Sequence, residues 1–165
     1  MRAALPVLLV LVAACGGKPA ATPATEKALS CAAREDGEPM ASGAWIREQT
    51  DPTGMAAAYF TLCNASMAPL TLTGLSTPAA GLVELHNTTR SAEGVVSMAP
   101  AGDIVIAPGE LVVFEPGGRH AMLMSLAGPI EAGDASSLTL QFADGSAVEV
   151  EAMVHSAAEA ATHKH

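Results

Sequence analysis

The chain has 165 residues, 17 acidic and 8 basic side chains and a formal net charge of −9, and half of its residues are hydrophobic. That length suits one ordinary domain with flanking tails and is enough to bury an adequate core. The acidic balance excludes nucleic acid and anionic lipid surfaces as favoured partners and leaves a cationic partner or a metal ion as the better match.

In chain order, Met1 and Arg2 carry one positive charge ahead of an apolar run from Ala3 to Ala14 that is broken only by Pro6. The run ends in Val12-Ala13-Ala14-Cys15, small residues followed by a cysteine, which reads as a lipobox. Such a run is too short for a bilayer span, which needs roughly 20 apolar residues. Residues 1–14 are therefore expected to be a lipoprotein signal peptide, with cleavage before Cys15 and lipid attachment to its thiol. Loss of Arg2 leaves 7 basic against 17 acidic residues, a net charge of −10. Residues 15–29, rich in Ala, Pro, Thr and Gly and without hydrophobic period, read as a flexible tether. With Gly16 rather than an acidic residue after the cysteine, the outer membrane is the weakly favoured address.

The domain is expected over residues 30–154. Strands are predicted at 44–48, 55–63, 70–77, 81–89, 95–98, 103–106, 110–115, 120–126, 137–142 and 147–154. Turn signals stand at Asn64-Ala65-Ser66, Ala107-Pro108-Gly109, Pro116-Gly117-Gly118 and Asp144-Gly145-Ser146. Alternation of apolar and polar residues in Leu70-Thr71-Leu72-Thr73 and Leu138-Thr139-Leu140-Gln141-Phe142 indicates sheets with one buried and one wet face. Many short strands of this kind imply an antiparallel sandwich or barrel. Trp45, the single tryptophan, is assigned to core packing. Residues 155–165 are read as a mobile tail, because the Ala-rich run 156–161 has no apolar face to hold a helix on the core.

Within the predicted strands, His86, Met98, His120 and Met122 form the pattern H-x11-M-x21-H-x-M. Taken singly, each methionine reads as packing and each histidine as a surface imidazole. Taken jointly, two borderline imidazoles and two soft, uncharged thioethers match Cu(I) better than Zn(II), Mg(II) or Ca(II). His120 and Met122 are i and i+2 on one strand and leave the same face, while His86 and Met98 flank a hairpin-like excursion at 88–94. The Pro-Gly-Gly turn before His120 sets that ligand at a loop edge, where a partner could reach the ion. Met124 shares the face one pleat further on and reads as packing or a spare ligand.

With its flanks Pro78-Ala79-Ala80-Gly81, Val83-Glu84-Leu85-His86 and Pro116-Gly117-Gly118-Arg119-His120-Ala121-Met122-Leu123-Met124, the pattern resembles the periplasmic copper chaperones called PCuAC. Ala44-Trp45-Ile46-Arg47 and Ala57-Ala58-Tyr59-Phe60 are similar to that family too, so the resemblance covers roughly residues 41–154. Many members carry a methionine directly after the first histidine, where this chain has Asn87. The resemblance implies an all-β, cupredoxin-like Greek-key barrel or sandwich. It also implies a monomeric carrier that holds Cu(I) near its surface and passes it to the copper sites of cytochrome c oxidase, often with a Sco-type protein.

Once Cys15 is lipidated, Cys31 and Cys63 remain as an even pair in an oxidising compartment and are expected to form a disulfide. A blue-copper site would need a cysteine near His120 and Met122, and 117–124 has none. In the tail, Met153, His155, His163 and His165 suggest an auxiliary Cu(II) site, set against incidental histidines on a solvated segment. A copper chaperone is the leading function. A structural or interaction lipoprotein without metal transfer, and a copper-storage or tolerance protein, are the alternatives. No nucleophile-base cluster, carboxylate pair or phosphate-binding loop points to an enzyme.

Overall fold

The computed structural model describes residues 31–161. The segments expected to be signal peptide and tether, with Cys15, and also His163 and His165, lie outside them. Ten strands follow in order: β1 (Pro39–Arg47), β2 (Ala56–Asn64), β3 (Leu70–Ser76), β4 (Ala80–Arg90), β5 (Val96–Pro100), β6 (Ile104–Ile106), β7 (Leu111–Phe114), β8 (Arg119–Leu126), β9 (Ala135–Phe142) and β10 (Ala147–His155). One short helix, α1 (Ala157–Ala160), closes the described chain.

Side-chain alternation explains how these strands make one core. Ala56, Ala58, Phe60 and Leu62 of β2, Ala121 and Leu123 of β8, Leu138, Leu140 and Phe142 of β9, and Ala152 and Val154 of β10 all turn to one face and are buried there. Phe60 and Phe114 stack at its centre, ring centres 4.1 Å apart. Ladders run in the order β5-β4-β8-β7-β2-β1-β10-β9-β3-β6, with β8 also pairing β2 where β7 ends. Leu72 and Leu75 of β3, Ile104 and Ile106 of β6 and Leu85 of β4 come from opposite ends of that order yet belong to the same apolar cluster. The sheet is therefore curled around its core, so that its other face looks outward all the way round.

β1 begins at Pro39 rather than at residue 44. The stretch Pro39–Ser42 looks like loop by composition, yet it pairs with Thr61–Asn64 before a bulge between Ser42 and Trp45, where Gly43 takes φ 59°. Pairing with a long, buried neighbour overrides local propensity here. The tail expectation also needs correction. β10 runs on to His155, and residues 156–161 are not a loose segment: Ser156 and Glu159 form a capping box around one helical turn. Glu48 then accepts a hydrogen bond from the Ala157 amide at 2.9 Å. Polar capping holds the turn, which is why an apolar face was not required.

At the far end of β2, Asn64 is fully buried and fully employed. Its Nδ2 donates to the carbonyls of Ala68 and Ile106, and its Oδ1 accepts from the Ser66 amide and hydroxyl. Beside it Cys63 is bonded to Cys31, with Cα atoms 5.5 Å apart and a sequence separation of 32. Closing a loop of that length restricts the unfolded chain by up to about 4 kcal/mol. The paired substitution Cys31→Ser with Cys63→Ser should lower the unfolding free energy by about 3 kcal/mol in urea titration. An unchanged midpoint would show that the bond contributes nothing to the fold.

Candidate metal centre

The outward face of β4 and β8 is where the motif residues meet. In their antiparallel ladder His86 pairs directly with His120, Glu84 with Met122 and Leu82 with Met124. On the next strand out, Thr88 pairs with Met98 and His86 with Pro100. Paired residues project to the same side, so all four motif residues share one face. The two imidazole centres are 5.8 Å apart with their planes at 59°. With a metal–nitrogen bond of about 2.0 Å each ring centre lies about 3 Å from the ion, so one ion can bridge this pair at an open angle.

Hydrogen bonds engage one nitrogen of each ring and leave the other open. His120 is buried, and its Nδ1 meets the Gly118 carbonyl at 3.2 Å. Donation there leaves the Nε2 lone pair for an ion. The same carbonyl accepts from the Thr88 amide at 3.0 Å, so the Pro-Gly-Gly turn is stitched to β4 as well as to the ring. Gly117 takes φ 84° in that turn, a left-handed conformation that glycine adopts without strain. On His86, Nε2 lies 3.1 Å from the Glu84 carboxylate, while Nδ1 is buried without a hydrogen-bond partner. A buried nitrogen left without a partner is costly, and a bound ion would satisfy it.

Met122 and Met98 are placed less equally. Both are diagonal neighbours of His86, a separation of about 7–8 Å that long side chains can span. They lie on opposite diagonals, however. Met122 is half-buried on a central strand, whereas Met98 is 58% exposed on the edge strand β5. The structure thus brings His86, His120 and Met122 together and leaves Met98 standing off on the outer arm. Among the described residues no three His, Cys, Asp or Glu side chains gather as a metal-binding group, so thioethers are needed to complete the donor set.

Further rings continue the outward face. Tyr59 lies 6.5 Å from His120, Trp45 lies 4.3 Å from Tyr59, and His155 stacks on Trp45 at 5.5 Å. Trp45 and Tyr59 are buried, although they sit on the sheet face opposite the main core. This row walls the site on its β2 side and places His155 two rings away from His120. Met153 pairs with Trp45 and is partly exposed. Glu84 and Tyr59 were not singled out from sequence as site residues. Parity would have placed Glu84, i−2 from His86, on the ligand face. Tyr59 is revealed only by the pairing of β2 with β8.

Burial pushes the Tyr59 phenol above its ordinary value of 10.0, against a smaller opposing pull from Arg47. The folded state then holds the phenolic proton more tightly than the unfolded chain. Its contribution is complete below pH 10 and is lost as pH rises through the raised value. Tyr59→Phe should flatten the alkaline arm of the stability–pH curve above about pH 10, read by urea unfolding at a series of pH values. An identical alkaline slope in both proteins would contradict the assignment.

Comparison with known proteins places this geometry in a lineage. Residues 40–154 match the family described as "Putative lipoprotein LpqE-like". "Putative lipoprotein Lxx21020" of Leifsonia xyli subsp. xyli is 36% identical over 106 residues, covering 64% of this chain and 62% of its own length. "Uncharacterized protein RP573" of Rickettsia prowazekii is 32% identical over 104 residues, 61% of this chain and 57% of that protein. The chain thus spans about 60% of the length of these curated relatives. Among solved structures, CuI-DR1885 from Deinococcus radiodurans is 31% identical with TM-score 0.53, covering 80% of this chain and 83% of that one. The copper-bound PCuAC domain from PmoF2 superposes with TM-score 0.60 over 73% of this chain and 94% of that one, and at 24% identity it shows the shared cupredoxin-like fold. The chain belongs to the LpqE-like family, and its β domain is of the PCuAC type.

Proposed function

We propose that this protein is a copper chaperone that holds Cu(I) between His86, Met98, His120 and Met122 and delivers it to a copper-accepting protein. The observation that carries the reading is the direct pairing of His86 with His120 on the outward face, ring centres 5.8 Å apart, each ring with one nitrogen outside the contact that holds it. Copper-bound structures among the similar proteins support it. Two imidazoles fix the ion, and two polarizable thioethers favour its cuprous state. Glu84 holds the His86 ring in place, as carboxylates commonly do for metal-binding histidines. Met98, on the exposed arm, is the ligand that a recipient could displace first. Binding and transfer, rather than turnover, is what such a site supports.

The family's lipoprotein description supports an extracytoplasmic setting. In our reading Cys15 carries a lipid anchor on the periplasmic side of a bacterial membrane. The recipient is a cuproprotein such as a cytochrome c oxidase subunit, with a Sco-type protein taking part. Competition titration of Cu(I) against a chromophoric chelator tests the site. One equivalent should bind tightly. His86→Ala and His120→Ala should each weaken it at least by the roughly 10–100-fold that loss of a supporting residue costs a metal site, with smaller losses for Met122→Leu and Met98→Leu. Full affinity in the histidine variants would defeat the reading. Transfer to an apo-oxidase fragment then separates a courier from a store, because a store would retain its copper.

We also propose an auxiliary Cu(II) site on the C-terminal segment. His155 is engaged with Trp45, so His163 and His165 are its principal donors, with Met153 and His155 at its base. Deleting residues 162–165 should lower Cu(II) stoichiometry by one equivalent, while unchanged stoichiometry would remove the tail from consideration.

A further inference from the structure

One rung beyond the imidazoles, the outward face changes from nitrogen to sulfur. Met122 and Met124 follow His120 on the same side of β8. Across the ladder Ala57 pairs with Met122 and Ala56 with Leu123, so the same register brings Met55 alongside Met124. Ala57 offers only a methyl group beside Met122. The space above it is a cavity of about 270 Å³ whose wall includes Met55, Ala56, Ala57 and Met122.

Met55 is not used for packing, since it is 58% exposed. Its backbone is nonetheless held. Gln49 donates from Nε2 to the Met55 carbonyl at 3.1 Å, and Gln49 is itself bridged to Ile130 through both of its backbone groups. Met124 is half-buried, and directly after it Ser125 takes φ 54°, the one non-glycine residue with positive φ among those described. A left-handed residue of this kind costs about 1 kcal/mol and bends β8 where the thioethers end. Met55 and Met122 thus line one cavity, and Met124 follows Met122 on the same face of β8, so three soft donors lie at one end of the sheet face. Thioether-only sets accept Cu(I) and reject harder ions. Arg47 and Glu48 line the same cavity and oppose one another in charge, so the thioethers alone set its preference.

We infer that Met55, Met122 and Met124 form a second, all-thioether Cu(I) site that shares Met122 with the imidazole site and serves as the way out for the ion. The inference rests on the copper reading of the imidazole site for that shared ligand. Movement between the sites is ligand exchange: bonds from copper to His86, His120 and Met98 break as bonds to the sulfurs of Met55 and Met124 form, with Met122 bound throughout. Copper stays cuprous throughout, and no proton or electron is required.

Titration of the full chain with Cu(I), and with Ag(I) as a redox-inert probe, tests this together with X-ray absorption at the metal edge. The wild type should take two equivalents, the second roughly tenfold weaker or more. Met55→Leu with Met124→Leu, which conserves side-chain volume, should lose the second equivalent and keep the first. His86→Ala with His120→Ala should lose the first and retain a weak equivalent surrounded by sulfur alone. Two equivalents in the double-leucine variant, or no residual binding in the double-alanine variant, would overturn the inference. Retention of the tight equivalent by the double-alanine variant would instead defeat the imidazole site and leave the thioether site standing.

Discussion

Side chains alternate across a strand, so the register that sets His86 against His120 also turns Leu85, Ala121 and Leu123 into the core. A slip by one residue would drive both imidazoles inward and expose Leu123. The apolar interior therefore fixes the ligand positions without touching them, because every alternative register is penalised by the burial it forfeits. This is an economical way to build a metal site on a β scaffold. Two ligands need no loop to position them, and the supporting contacts from Gly118 and Glu84 only have to set the rings' rotation.

The donor set is graded in rigidity as a result. His120 is buried beside Tyr59 and Trp45, rings that exclude water from its flank. His86 is held by a carboxylate two residues away. Met122 is half-buried, and Met98 stands exposed on an edge strand that has a neighbour on one side only. In the proposed carrier role the ion has to be gripped and also released, and two fixed with two yielding ligands would meet both demands. Flexible thioethers on the solvent side adapt to a partner's geometry more readily than rings locked by hydrogen bonds.

Much of this was legible in the residues. Ten strands could be placed because turn residues punctuate runs of period two, and the H-x11-M-x21-H-x-M spacing picks out residues that the sheet brings onto one face. Pro39–Ser42 was not legible, because its strand character comes from pairing with β2 and not from its own composition. The parallel pairing of β1 with β10 joins segments too distant in sequence for local signals to report. Trp45 was assigned to the core and is indeed buried, but on the outward face, where only the neighbouring rings cover it. The S-x-x-E pattern of Ser156 and Glu159 stands in the sequence but was not read from it, because the missing apolar face pointed to a mobile tail. Met55 looked like an ordinary strand start, since its neighbours depend on which strand lies beside it.

The disulfide has a consequence for direction. Cys31 is pinned to Cys63, and Ala57, beside Met122, lies roughly 20 Å further back along β2 at the usual strand rise. The outward row on β8 therefore has a polarity relative to the cystine, its imidazole rung nearer that bond and its thioether rung further away.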